Sequence, residues 1–232
     1  MTDLLIEVES IQKTGERLED PKYLPSENEL IKLFQPDIVG LDWLGFIDEV
    51  YKKIGYEIIT NEYIEAVTKY LSRRVEEINA ENDKRVVILE VGAGTGRLSH
   101  FIDESLKSKS QNYDVVSTDL SLDNSQNLRT VEQLGYEEAI EKYHPDIIIC
   151  SWMPSGQDWT PTFRNNQSTK EYILIGIEGG RTGNENTYKE VEGFTKAELI
   201  PEVNQFGLES SPYNLTIGGK VKKSKTYSFR RN

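Results

Sequence analysis

The sequence predicts an α/β fold: a mostly parallel sheet with helices on both faces, closed by a C-terminal antiparallel hairpin and preceded by a helical N-terminal region. Three observations predict it. Val86-Val87-Ile88-Leu89-Glu90-Val91, Asp146-Ile147-Ile148-Ile149-Cys150 and Glu171-Tyr172-Ile173-Leu174-Ile175-Gly176-Ile177 are short apolar runs without polar alternation, as in strands covered on both faces. Helical spacing follows the first of them, at Leu98, Phe101, Ile102 and Leu106. Between that strand and that helix lies Gly92-Ala93-Gly94-Thr95-Gly96, a turn rich in glycine. At 232 residues the chain suits one such domain with an added element.

About eighty residues precede the first strand and read as mostly helical. Ser26 and Glu29 have the form of a capping box for a segment carrying Leu30, Ile31, Leu33 and Phe34, which Pro36 breaks. Residues 41–54 place Leu41, Leu44, Ile47, Tyr51 and Ile54 near one face. Thr60 then caps a longer helix in which Tyr63, Ile64, Val67, Tyr70, Leu71, Val75 and Ile78 recur at three and four, an apolar stripe that should pack on the sheet. Residues 1–84 are thus expected to form a helical lid on a sheet domain spanning 85–232, the two making one unit.

The first strand must stop at once. Gly92, Gly94 and Gly96 let the backbone reach positive φ and bring its N–H groups to a ligand without a Cβ in the way. They lie between a strand's carboxyl end and a helix's amino end, where open α/β sheets bind ligands. The spacing is G-x-G-x-G, with Arg97 where the G-x-G-x-x-G dinucleotide pattern wants its third glycine. Glu90, two residues before the first glycine, would repel a pyrophosphate but suits a cationic or amine-bearing ligand. A glycine-rich turn that binds nothing is the plainer reading.

The E-x-G-x-G-x-G order resembles motif I of the class I S-adenosylmethionine (SAM)-dependent methyltransferases. That resemblance implies a Rossmann-like fold with a mostly parallel seven-stranded sheet and SAM as cofactor. The loop Gly92, Ala93, Gly94 and Gly96 would wrap the methionine part and sugar, and Glu90 would help hold the methionine end, directly or through water. The resemblance also places N-terminal helices over the open carboxyl edge of the sheet. Trp43, Phe46, Tyr51, Tyr56 and Tyr63 become candidate lid residues, against the plainer reading that aromatics at helical spacing belong to the core.

The next strand, Tyr113 to Thr118, ends at Asp119 and Leu120. An acid there is placed to accept hydrogen bonds from both ribose hydroxyls of a nucleoside bound across the first turn, so Asp119 and Leu120 join the cofactor site. The alternative for Asp119 is a helix N-cap. A helix is expected over 122–134, ending at Gly135 and leaving a third strand hard to see, then another over Glu137 to Tyr143 stopped by Pro145. Gly135-Tyr136-Glu137 stands about where the resemblance puts the adenine contact, without the expected acid-plus-apolar pair.

The strand Asp146 to Cys150 runs into Ser151-Trp152-Met153-Pro154-Ser155-Gly156-Gln157-Asp158-Trp159. By the resemblance this is motif IV, which puts Ser151 and Trp152 beside the methyl donor. Enzymes that methylate amino groups of nucleobases or glutamine show Asn or Asp, Pro, Pro and an aromatic there. Ser-Trp-Met-Pro departs from that pattern and speaks against those acceptors. Transfer from a sulfonium needs alignment and exclusion of water more than side-chain chemistry, and a base only when the acceptor is protonated. Tyr56, Trp152 and Asp158 are the candidate catalytic residues. His144 reads as a surface residue and His100 as a structural one.

Glu171 to Ile177 reads as a fifth strand and 178–187 as a glycine-rich loop, either a mobile rim over a substrate or a polar connection. A helix is expected over Thr195 to Phe206, and the closing hairpin from Leu215-Thr216-Ile217 and Thr226 to Phe229. Lys220, Lys222, Lys223, Lys225, Arg230 and Arg231 make a basic tail, which is an anion-binding patch or a solvated edge that discourages strand pairing. Ser-Trp-Met-Pro-x-Gly-x-Asp-Trp-Thr, the Glu-Tyr-Ile-Leu-Ile-Gly strand and the terminal Ser-Lys-Thr-Tyr-Ser-Phe-Arg-Arg together look like a group of methyltransferase-like proteins from fungi and plants, over residues 50–231.

Charge narrows the function classes. With 39 acids against 27 bases the net charge is −12, a surface that repels phosphate backbones and disfavours a nucleic-acid substrate. The one cysteine, Cys150, excludes an intramolecular disulfide and a cysteine-rich zinc cluster, and two histidines build no His-rich site, so no metal is expected. No apolar leader and no run of membrane-spanning length is present, which makes a cytoplasmic location the default without a membrane partner. The leading reading is a SAM-dependent methyltransferase for a small-molecule or peptide acceptor. Its alternative is a non-catalytic SAM-binding or scaffold protein with the same fold.

Overall fold

A computed structural model describes residues 17, 20, 22–29, 57, 59–82, 84–121, 128–179, 181–199, 203 and 224–232. The expected helices over 30–34 and 41–54, the strand at 215–217, the lysines at 220, 222 and 223, and Trp43, Phe46, Tyr51 and Tyr56 lie outside those residues.

Helix α1 (Asn61–Asn82) starts where the sequence predicts, because Thr60 Oγ1 accepts the Tyr63 N–H at 3.1 Å. Its stripe from Tyr63 to Ile78 is buried throughout. Strands β1 (Val86–Val91), β2 (Tyr113–Asp119), β3 (Glu132–Gln133), β4 (Ile147–Ser151), β5 (Glu171–Gly176), β6 (Phe194–Glu198) and β7 (Lys225–Arg231) form one sheet in the order β3-β2-β1-β4-β5-β7-β6. β1 to β5 pair in parallel, while β7 runs antiparallel to both β5 and β6.

Alternate side chains of each inner strand enter opposite cores, which is why the runs carry no polar alternation. Ile88, Ile147, Ile149, Ile173 and Ile175 pack with α1 and with Leu98, Ile102 and Leu106 of α2 (Arg97–Leu106). Leu89, Val91, Ile148, Cys150, Tyr172 and Leu174 pack on the other face with Ala139 and Ile140 of α3 (Tyr136–Tyr143) and Phe163 of α4 (Thr160–Asn165). Register aligns Glu90 with Ser117 on one side and Ile149 on the other, so Val91, Asp119 and Ser151 end at one edge. The chain winds outward from β1 to β3 and then returns to β4 beside β1, leaving a crevice where the direction reverses.

Three expectations are corrected. Glu132–Gln133 forms β3, pairing with Thr118 and Asp119, where a helix was expected to run through to 134. Phe194–Glu198 is a strand rather than the start of a helix, and it supplies the hairpin partner of β7. Lys, Ala and Glu favour a helix locally, but pairing along β7 prevails. Tyr63 is a core residue and not a lid residue: its ring is fully buried and its hydroxyl lies 3.0 Å from Thr226 Oγ1.

The capping box at Ser26 forms as read, with Ser26 N–H donating to Glu29 Oε2 at 2.8 Å and Glu29 N–H to Ser26 Oγ at 3.2 Å. The arginines of β7 are occupied within the fold. Arg231 donates to the carbonyls of Arg164, Asn166 and Thr169 at 2.7–2.9 Å, and Arg230 donates to the Tyr70 hydroxyl at 3.0 and 3.1 Å.

Candidate functional site

The carboxyl ends of β1, β2 and β4 open onto a cleft of about 590 Å³, inside the range of ~300–1,000 Å³ that small-molecule sites occupy. The glycine loop forms its floor. Gly92, Gly94 and Gly96 have φ of +65°, +55° and +71°, and Ala93 N–H donates to the Thr118 carbonyl at 3.0 Å, tying the loop to β2. The three glycines differ in what they face. A Cβ on Gly92 would stand 3.3 Å from the Trp159 ring, and one on Gly96 would meet Val131 Cγ2 at 2.8 Å. A Cβ on Gly94 would meet nothing within 4 Å, since that position looks into open space.

Glu90 lines the cleft at 3% exposure. Burial pushes its carboxyl up to about 7, against the lowering effect of hydrogen bonds from the Ser99 N–H and hydroxyl and of the nearby Arg129 charge. Asp119 closes the opposite side of the loop. Its Oδ2 accepts the Gly94 N–H and its Oδ1 the Ser121 N–H, each at 2.8 Å, so the local turn and the contact with the glycine loop coexist. Each carboxylate oxygen keeps a second acceptor position. Beside it Leu120 is 71% exposed on the cleft wall.

Ser151 and Trp152 reach the cleft from the end of β4. Trp152 has a φ of +57°, with its N–H on the Ile175 carbonyl at 2.8 Å and its indole Nε1 donating to Glu57 Oε2 at 2.7 Å. Asp158 is engaged elsewhere. Its Oδ1 accepts the Thr160 N–H at 3.1 Å and hydroxyl at 2.7 Å in a local turn that leads into α4, while its neighbours Gln157 and Trp159 line the cleft. His144 is exposed at the end of α3, and half-buried His100 lies edge-on to Phe101, its pKa lowered by burial.

Sequence reasoning did not single out Glu57, Leu134 or Trp159 for this site, yet all three line it. Tyr136 and Trp159 stack with centroids 4.6 Å apart and planes 10° from parallel, covering the side where Gly135-Tyr136-Glu137 was noted. Arg97 reaches back to the N-terminal segment: its guanidinium donates to the Tyr23 carbonyl at 2.7 Å, and burial lowers its pKa to about 10. The 178–187 loop buttresses the turn after β4. Gly183 N–H donates to the Met153 carbonyl at 3.0 Å, and Gly156 N–H donates to the Gly183 carbonyl at 2.8 Å. Among the described residues no cluster of three or more His, Cys, Asp and Glu could hold a metal ion, and no helix is long and apolar enough to cross a membrane.

No protein-family model matches the sequence, and no curated protein matches it. Several solved structures superpose on it in part. The CurJ carbon methyltransferase superposes with a TM-score of 0.47 at 14% identity, over 88% of this chain and 58% of that one. The DszA carbon methyltransferase gives 0.42 at 10% identity, over 98% and 65%. The magnesium protoporphyrin IX methyltransferase of Synechocystis PCC 6803, crystallised with SAM, gives 0.38 at 13% identity, over 84% and 99%. The chain therefore spans about three fifths of the length of the two carbon methyltransferases. Seven strands in this order, with only β7 reversed, make the expected architecture. The fold is a Rossmann-like α/β fold.

Proposed function

We propose that this protein is a SAM-dependent methyltransferase acting on a small-molecule or peptide acceptor. One observation carries the reading: at the reversal point of the sheet, the Gly94 N–H and the Asp119 carboxylate are bonded into one surface that faces open space, with buried Glu90 beside it. That surface fits SAM. The loop N–H groups and Glu90 would take the methionine end, Asp119 the ribose diol, and Leu120, Leu134 and Tyr136 an apolar adenine. When bound, the cofactor supplies an electrophilic methyl group on a sulfonium. Ser151, Trp152 and Met153 would align the acceptor and keep water out. Residues 22–29, tied to Arg97 through the Tyr23 carbonyl, would belong to the N-terminal lid. The fungal and plant resemblance and a cytoplasmic location go with the same reading.

A non-catalytic SAM-binding or scaffold protein is the second reading, and one observation favours it. Asp158, a candidate base, has its Oδ1 engaged by the Thr160 N–H and hydroxyl in a local turn. Isothermal titration with SAM and with S-adenosylhomocysteine tests the cofactor assignment common to both; saturable binding of each is expected, and no binding at millimolar ligand overturns it. Transfer of label from methyl-labelled SAM into a metabolite extract then separates enzyme from scaffold.

A further inference from the structure

We infer that Glu57 is a positioning residue that sets the wall of the methyl-transfer site by holding Trp152. The inference rests on the methyltransferase reading. Trp152 stands where β4 delivers the chain into the cleft, in a left-handed backbone conformation that a bulky side chain rarely adopts and that persists only where the surroundings over-determine it. Its backbone is fixed by the Ile175 carbonyl of β5 at 2.8 Å. Its side chain is fixed by Glu57, whose Oε2 accepts the indole N–H at 2.7 Å.

Glu57 is itself anchored. It is 6% exposed, and its Oε1 accepts the Ser224 hydroxyl at 2.5 Å, one residue before β7 begins. A charge-assisted acceptor in so little water makes a short, directional bond, and a carboxylate with both oxygens engaged has little rotational freedom. Residues 224, 57 and 152 thus form one hydrogen-bonded chain that ends on the indole. Nothing about residue 57 in the sequence points to this, because the partners are 95 and 167 positions away. Glu57 lines the cleft and bonds to Trp152 at the end of β4, whereas Asp119 bonds to the glycine loop. Loss of Glu57 should therefore disturb acceptor alignment and leave cofactor affinity in place.

The chain holds three tryptophans, so 5-fluorotryptophan labelling gives three ¹⁹F resonances, with that of Trp152 assigned by its disappearance in W152F. E57L is expected to shift and broaden the Trp152 resonance alone. S-adenosylhomocysteine affinity should stay within about threefold of wild type, while label transfer from saturating SAM falls by roughly tenfold or more, as misplaced reacting groups do. E57Q, which keeps an acceptor for the indole, should recover most of the rate and return the resonance toward its wild-type position. S224A, which loosens the anchor without touching Glu57, should move the same resonance in the same direction by less, and it serves if E57L does not fold. An unmoved Trp152 resonance in both E57L and S224A overturns the proposal. So does a rate that falls only in step with cofactor affinity. Failure of the wild type to bind SAM or S-adenosylhomocysteine overturns the methyltransferase reading instead, and the ¹⁹F shift still decides whether Glu57 holds Trp152.

Discussion

Burial alone would keep Glu90 neutral well above the usual carboxylate range, and the Ser99 hydrogen bonds and Arg129 bring it back only to about 7. An unfolded Glu titrates near 4.5, so the folded chain binds an extra proton between those values. Stability contributed by the neutral acid is complete below 4.5 and is lost as pH rises through 7, a span worth about 3 kcal/mol at 1.36 kcal/mol per unit. E90Q has no such ionisation. Its melting temperature relative to wild type should rise between pH 5 and pH 8, and a constant difference would count against a neutral Glu90. Binding gives the opposite sign. A ligand ammonium favours the ionised carboxyl, so SAM affinity should increase from pH 5.5 to 7.5 with proton release on binding, and E90Q should bind more weakly with a flat profile. Titration calorimetry in two buffers of different ionisation enthalpy measures both.

The β1-loop-α2 element divides its glycines between packing and ligand access, and substitutions should separate the two. Alanine at 96 combines a left-handed φ of +71° with a Cβ 2.8 Å from Val131 Cγ2 and 2.9 Å from Arg129 Cγ. G96A should lose about 2–3 kcal/mol of stability, from backbone strain plus overpacking. G94A carries the strain without the clash and should lose about 1 kcal/mol, yet its methyl enters the cleft and should reduce S-adenosylhomocysteine affinity at least tenfold. Thermal melts beside titrations check the pair, and equal stability losses with equal binding losses would refute the division. This element was legible because strand, turn and helix are contiguous, and each announces itself by period or by glycine. β3 was not legible: two residues, Glu132 and Gln133, show no period. β6 was misread because Lys196, Ala197 and Glu198 suit a helix locally, and only the distant β7 makes a strand of them. In the site, Glu90, Asp119 and Trp152 sit at strand ends and could be read from the chain. Glu57 and Trp159 reach the cleft through tertiary packing that no local pattern encodes.

At the scale of the molecule, the sheet's two edges do different work. Ligand-facing groups gather at the carboxyl edge, while the amino edge of β5 carries a polar knot that joins α1, β5 and β7. Glu171 is fully buried there, accepting from the Tyr70 and Ser228 hydroxyls, each at 2.5 Å, and from Arg74 Nε at 2.6 Å. Arg74, at 12% side-chain exposure, supplies the near counter-charge, and Arg230 stands 4.0 Å away. Removing the guanidinium leaves a buried carboxylate short of compensation, which costs about 3 kcal/mol or more, whereas replacing the pair by apolar groups of similar volume is close to neutral. R74L should therefore lower the melting temperature by roughly 6–12 °C, taking 2–4 °C per kcal/mol for a chain of this size, and R74L/E171L should regain much of that loss. Because the knot lies at the amino edge, S-adenosylhomocysteine affinity of folded R74L should match wild type. A silent R74L would mean that Tyr70, Ser228 and Arg230 suffice to hold Glu171. A double variant no better than R74L would place the cost in lost packing of the arginine stem rather than in the stranded charge.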